Sequence, residues 1–277
     1  MRRFGRRASV SGAGGPLTVT FLTDYGPGSE HVGALHLMVA AGAPTARLVD
    51  LVHDVPAQDV RQGAVLLARL APLAPAAIHV AVVDPGVGGP RRAVALATGA
   101  GGVLIGPDNG LLMLAADALG VRGARLLPAP GAGAPATFHG RDVFAPAAAR
   151  LAAGAPFSAL GEPIDPRSLV ALLLPEPRVE EGLLVGEVAG RDAFGNLQLF
   201  ASGARLRQAG FVPGARIGVE CCGAVHAATV ARTFADVSPG ALLVYPDAHD
   251  RVAIAVNGGD AAARLAVEPG EEITLRR

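Results

Sequence analysis

One apolar run limits most strongly what this chain can become. Ile78-His79-Val80-Ala81-Val82-Val83 has no polar face beyond its single histidine. It therefore reads as a strand covered on both sides, the kind found inside a parallel sheet. The run stops at Asp84-Pro85-Gly86-Val87-Gly88. Pro85 fixes φ, and Gly86 and Gly88 admit conformations closed to other residues, so the chain has to turn sharply. In open α/β sheets ligands sit outside the carboxyl ends of the strands, which makes Asp84 a candidate functional group. The plainer alternative is that Asp84 only caps its turn, and this stretch alone favours neither.

The flanking sequence repeats the arrangement. Leu17 to Leu22 reads as a strand ending at Thr23-Asp24-Tyr25-Gly26, and Ser29 is placed to cap a helix reaching about Ala40. A strand from Ala46 to Leu51 ends at His53-Asp54, and Asp59 caps a helix to about Leu70. Arg92–Ala97 and Gly102–Ile105 read as two further strands, with Gly99–Gly101 as the turn if they pair as a hairpin, followed by the turn Gly106-Pro107-Asp108-Asn109-Gly110 and a helix from Leu111 to Leu119. After a Pro/Ala/Gly linker, Phe138-His139-Gly140-Arg141-Asp142 leads into a helix from about Val143 to Ala153. Alternating strand and helix predicts a mostly parallel sheet covered on both faces. From Glu181 onward the pattern becomes seven short β-rich runs: Leu183–Val188, Asn196–Phe200, Ala215–Glu220, Val225–Arg232, Ala241–Tyr245, Val252–Val256 and Ile273–Leu275. Gly, Pro and Asp separate them, which predicts a small antiparallel β-barrel. The expected organisation is a disordered tail over 1–16, an N-terminal α/β domain over 17–175 and a C-terminal β-barrel domain over 176–277.

Composition excludes more than it selects. The chain has 24 basic and 24 acidic residues, with Arg supplying every basic one, so no basic stripe marks a nucleic-acid surface. No apolar run reaches the roughly 18 residues of a membrane helix, so no membrane association is expected. Cys221 and Cys222 are adjacent, a spacing that bridges only with strain. They read as free thiols in a reducing compartment, the cytoplasm.

Asp24, His53, Asp84 and Asp108 gather at strand ends, and His139 sits on the loop before a helix. Each has an ordinary reading: a turn at Asp108, a strand terminus at His53, an ion pair between Asp84 and Arg91 seven residues on. His139 beside Gly140 is harder to dismiss. There is no P-loop, no Gly-x-Ser-x-Gly elbow and no HExxH. Dispersed Asp and His still leave a metal site open.

Six strings, in order, resemble the S-adenosylmethionine hydroxide adenosyltransferases, the family related to fluorinase and chlorinase. They are Phe21-Leu22-Thr23-Asp24-Tyr25-Gly26, Val83-Asp84-Pro85-Gly86-Val87-Gly88, Gly106-Pro107-Asp108-Asn109-Gly110, Phe138-His139-Gly140-Arg141-Asp142, Asp192-Ala193-Phe194-Gly195-Asn196 and Ala255-Val256-Asn257-Gly258-Gly259. The resemblance implies a homotrimer whose active sites lie between the N-terminal domain of one subunit and the C-terminal domain of the next. It implies that Asp84, Arg91 and His139 surround the attacking water and that Asp24 grips the ribose hydroxyls. Asp192 would hold the methionine amino group and Asn196 would read adenine beside Phe194. Tyr25, Val256, Asn257 and Gly258 complete the substrate-binding set.

The halogenases carry a Tyr and a hydroxyl residue where this chain has Asp84 and Val87. An anion there repels halide, so the resemblance points to water as the nucleophile and to hydrolysis of S-adenosyl-L-methionine into adenosine and L-methionine, without cofactor or metal. Where the relatives usually have Ser-x-Gly before the last strand, this chain has Asp247-Ala248-His249-Asp250, so the backbone contacts to adenine that the resemblance implies from that turn lack their matching residues. The other readings are a halogenase-like adenosyltransferase, a metal-dependent hydrolase built on Asp24, His53, Asp84 and His139, and a non-catalytic nucleoside-binding protein.

Overall fold

A computed structural model describes residues 17–130 and 136–277. The tail expected over 1–16, and part of the Pro/Ala/Gly linker, lie outside them. Contacts divide the chain after Leu173 into two compact units.

The first unit is built on a seven-stranded sheet. Its elements are β1 (Thr18–Thr23), α1 (Glu30–Gly42), β2 (Arg47–Val52), α2 (Val60–Leu70), β3 (Ile78–Val82), β4 (Ala93–Thr98), β5 (Val103–Pro107), α3 (Met113–Leu119), β6 (Val121–Leu126), α4 (Ala145–Ala152) and β7 (Glu162–Ile164). The sheet order is β2-β1-β3-β5-β4-β6-β7. The first four of these strands are mutually parallel. β4 runs against both β5 and β6, so β6 shares the common direction, and β7 opposes it. β6 and β7 have no counterpart in the sequence reading: Val121–Leu126 carries two arginines, and Glu162-Pro163-Ile164 is an edge strand broken by proline.

Burial on both faces explains the apolar run that defines β3. Val80 and Val82, with Val19 and Phe21 of β1, pack under Leu35 and Val39 of α1 and Leu151 of α4. Ala81, Val83 and Leu22 pack on the opposite face under Ala64 and Leu67 of α2 and Ala115 of α3. The helices begin where the sequence supplies caps: Ser29 accepts from the His31 amide and Asp59 from the Gln62 amide.

His79, the one polar residue in β3, is 1% exposed and fully satisfied. Its Nδ1 pairs with the Thr20 hydroxyl at 2.8 Å across the β1–β3 register, and its Nε2–H donates to the Ala74 carbonyl at 3.1 Å. Burial pushes its pKa down from the ordinary 6.5 to about 4. The unfolded chain therefore takes up this proton near pH 6.5 and the folded chain only near pH 4. Stability should fall as pH drops between those values, by up to about 3 kcal/mol from this group. Denaturant unfolding at pH 7.5 and 4.5 measures it: His79→Gln should flatten the pH dependence, and equal slopes for both proteins would refute it.

The second unit contains β8 (Arg178–Glu180), β9 (Leu183–Arg191), β10 (Leu197–Ser202), α5 (Gly203–Gln208), β11 (Arg216–Cys221), β12 (Ala224–Val230), β13 (Leu242–Pro246), β14 (Arg251–Val256), α6 (Ala261–Leu265) and β15 (Glu272–Arg276). Strands β10-β14-β13-β12-β11-β15-β9 form a ring closed by pairing of β9 with β10, and β8 lies outside on β9. The seven β-rich runs of the sequence are the seven strands of this closed barrel. It departs from pure antiparallel pairing once, at β12–β13, which are parallel. The intervening chain is long enough to cross over, and the Thr233–Asp236 capping box folds it into a tight turn.

Candidate active site

Strands β1, β3 and β5 end side by side, and β1 lies between its two successors β2 and β3. That reversal of winding is the switch point at which open α/β sheets form a crevice. Asp24 and Tyr25 follow β1, Asp84 follows β3, and Asp108 and Asn109 follow β5. A pocket of about 220 Å³ opens there, lined by Asp24, Tyr25, Gln58, Asp84, Val87 and His139 among others.

Asp84, Arg91 and His139 form one connected chain. Arg91 Nε donates to Asp84 Oδ1 at 2.8 Å and its NH2 donates to Oδ2, a bidentate pair with side chains 6% and 10% exposed. The same NH2 lies 2.8 Å from His139 Nδ1. A guanidinium only donates, so Nδ1 is the ring's acceptor and the proton of the neutral ring sits on Nε2. Burial, and then the Arg91 charge, hold the His139 pKa below its ordinary value and keep the ring neutral. The Arg91 guanidinium also lies 5.5 Å from the centre of the Phe144 ring. Its NH1 is buried without a protein acceptor among the described residues. The pocket thus presents a carboxylate acceptor and an imidazole N–H donor, both aimed by one arginine.

Local structure holds these groups. His139 opens a single turn of π-helix, Gly140–Phe144, that runs directly into α4. Such π-turns widen a helix where a side chain must be re-aimed. At Gly140 a Cβ would fall 2.4 Å from the Tyr25 hydroxyl, so glycine is what lets Tyr25 stand in the pocket. Burial first, and then the Asp24 and Asp84 carboxylates, raise the Tyr25 pKa and keep the phenol a neutral donor. Its ring meets Phe138 edge-on at 6.0 Å. Asp24 Oδ2 accepts from the Gln58 amide at 2.9 Å. Gln58 holds a positive φ of 65°, a strained backbone of the sort that clusters at functional sites. Nothing in the sequence singles out Gln58, because a left-handed glutamine carries no residue-type signature.

His53 does not join this pocket. Its Nδ1 lies 2.9 Å from the Thr23 hydroxyl and its Nε2 2.9 Å from Asp50 Oδ1, a carboxylate it shares with His36. Among the described residues, no group of three or more His, Cys, Asp or Glu side chains could hold a metal ion. Of the residues in the metal reading, Asp24, Asp84 and His139 line the pocket and His53 stands apart from them.

The second-unit candidates gather at one rim of the barrel. Asp192 to Asn196 is the β9–β10 turn, and Asp192 is its organiser. Its Oδ1 accepts from the Phe194 and Asn196 amides, and its Oδ2 accepts from Asn196 Nδ2 at 2.8 Å. Phe194 stands 78% exposed at the tip, whereas Asn196 is buried. Val256, Asn257 and Gly258 end β14 at the same rim, where Gly195 O accepts from the Ala262 amide just beyond them. Asn257 Nδ2 is spent on the Val237 carbonyl. Ala248-His249-Asp250 lies at the far end of β14, beside a larger cleft of about 350 Å³. The charges in that cleft are partly self-paired, with Arg205 3.9 Å from Glu176.

The sequence matches the family model described as the SAM hydroxide adenosyltransferase N-terminal domain over residues 19–161, and the corresponding C-terminal domain over 186–274. A Salinispora arenicola protein named (R)-S-adenosyl-L-methionine hydrolase is 51% identical over 261 residues, covering 93% of this chain and 97% of its own. A Thermus thermophilus protein of the same name is 39% identical over 270 residues, covering 93% and 98%. A fluorinase from an Actinoplanes species is 25% identical over 298 residues, covering 96% and 99%. The crystal structure of an uncharacterized conserved protein from Thermotoga maritima superposes with a TM-score of 0.85 at 35% identity, covering 94% of this chain and all of that one.

Proposed function

This chain belongs to the SAM hydroxide adenosyltransferase family, and from that membership and its pocket we infer that it hydrolyses S-adenosyl-L-methionine with water to adenosine and L-methionine. The observation that carries the reading is the Asp84–Arg91–His139 chain at the switch point of the sheet. A sulfonium leaves as a neutral thioether, so the departing side needs no acid. What is needed is a water aimed in line at C5′, about 3 Å away. Asp84 accepts a proton from that water, and His139 Nε2–H donates to the oxygen as the O–C5′ bond forms. The C5′–S bond breaks with its electron pair going to sulfur. Val87 offers no donor for a halide, and the carboxylate beside it disfavours an anionic nucleophile.

No cofactor or metal enters this scheme. Asp24 is proposed to hold the ribose hydroxyls, with Tyr25 beside it. Asp192, Phe194 and Asn196, with Val256, Asn257 and Gly258, are proposed to take the methionine and adenine ends. We place the reaction in the cytoplasm, in keeping with the unbridged Cys221 and Cys222.

One experiment tests the reaction: incubation with each sulfonium epimer in oxygen-18 water containing a chelator. The expected result is adenosine labelled at its 5′ hydroxyl, formed faster from the R epimer for which the relatives are named. Unlabelled adenosine, or label in another product, would overturn it. The assembly is proposed to be a homotrimer with active sites shared between subunits. Light scattering should give three chains per particle, and full activity in a demonstrated monomer would rule this out.

A further inference from the structure

The turn Asp108-Asn109 after β5 contributes no lining residue to the pocket, yet its two side chains reach the two feet of the Asp84–Arg91 loop. Asn109 Nδ2 donates to the Val83 carbonyl at 2.9 Å, on the peptide that leads into Asp84. Asp108 Oδ2 accepts from Arg92 Nε at 2.7 Å, and the Asp108 amide donates to the Arg92 carbonyl at 2.9 Å, immediately after Arg91. These bonds lie where the sheet runs out. The β3–β5 register ends at Val80 with Ile105, three residues short of Val83, and the β4–β5 register ends at Ala93 with Pro107. Asn109 therefore prolongs one ladder with its side chain, and Asp108 prolongs the other.

Between the feet, among the described residues, the backbone of the loop is tied to itself by two turn bonds, Val87 N to Asp84 O at 3.2 Å and Gly89 N to Gly86 O at 3.1 Å, and the Asp84–Arg91 pair closes it with side chains. Pro85 and Pro90 fix φ near its two ends, but Gly86, Gly88 and Gly89 leave the middle free, so the separation of the ends depends on what holds the feet. The clamp is itself well anchored. Asp108 is 6% exposed and its Oδ1 accepts from the Val170 amide at 2.8 Å. Asn109 Oδ1 accepts from the Leu111 amide at 3.1 Å.

We propose that Asp108 and Asn109 are positioning residues that set the distance across the Asp84–Arg91 pair and hence the aim of the Asp84 carboxylate. The proposal rests on Asp84 handling the attacking water. A misplacement of about 1 Å at a reacting group can cost on the order of 10²-fold in rate, so loosening one foot should be visible in turnover.

The test is a kinetic cycle between Asn109 and Asp84. Asn109→Ala should lower kcat at least about tenfold with KM within about twofold, while unfolding stays cooperative. Asn109→Asp keeps an acceptor for Leu111 and loses the donor to Val83, so it should act alike; if Asn109→Ala does not fold, it carries the test. In an Asp84→Asn background the added loss should shrink to about threefold or less, because both changes act on one group. A purely structural role would lower stability equally in both backgrounds and leave kcat of the folded fraction unchanged. Wild-type kcat in either folded Asn109 variant, or an undiminished loss in the Asp84→Asn background, would overturn the clamp alone. Full activity in Asp84→Asn by itself would overturn the hydrolytic reading and the clamp with it.

Discussion

Asp84→Asn is expected to lower kcat about 10²-fold or more while leaving KM near its wild-type value. The asparagine has the same shape and keeps one oxygen for Arg91 Nε, but it cannot take a proton from water. General-base contributions of about 10²–10⁴-fold set the scale. Substrate affinity should survive, because the ribose and methionine contacts proposed here lie on Asp24 and on the second unit. Some loss of melting temperature is also expected, since Arg91 keeps its charge and loses half of a bidentate partner, although His139 Nδ1 and the Phe144 ring remain beside it. His139→Ala should lower kcat in the same direction, and the two losses should not add fully, because both residues act on one water. Steady-state kinetics well below the melting temperature separates the two effects. Wild-type kcat in a folded Asp84→Asn protein would return Asp84 to the role of a turn cap.

Much of this site can be read from sequence because its main groups sit at strand ends punctuated by glycine and proline. Asp24 and Asp84 announce themselves by ending apolar runs, and the winding pattern brings those ends together. The pairing of Asp84 with Arg91 is legible too, since seven residues with Pro85 and Gly86 between them must fold back. What the sequence hides are bonds between distant segments. His79 looks like a flaw in an apolar strand until the β1–β3 register supplies Thr20. His53 looks like a pocket residue until Asp50 and Thr23 are seen to engage it. The Asp108-Asn109 pair reads as a turn, which it is, and only the sheet geometry shows what its side chains hold. In the barrel, alternation marks each strand but says nothing of direction, so the parallel β12–β13 step is invisible until the crossover is traced.

Arg91→Met should combine a large loss of turnover with a loss of stability, and the two should come apart in a double variant. The substitution keeps an apolar stem over Phe144 and removes the guanidinium. Asp84, with a side chain 6% exposed, would then be a nearly buried carboxylate without its two strongest donors. Removing one partner of a buried pair costs about 3–5 kcal/mol, and the neighbouring pocket lets water in, which argues for the lower end. About 3 kcal/mol corresponds to roughly 6 °C of melting temperature for a chain of this size. His139 Nδ1 would also lose its donor, freeing the ring to turn and to carry its proton on either nitrogen. Turnover should therefore fall at least as far as in Asp84→Asn. Adding Asp84→Asn to Arg91→Met removes the stranded charge, so the melting temperature should recover while kcat stays low. A single variant that melts like wild type would mean the pair contributes little to the fold. Recovery of activity in the double variant would mean that the carboxylate is not the group that handles water.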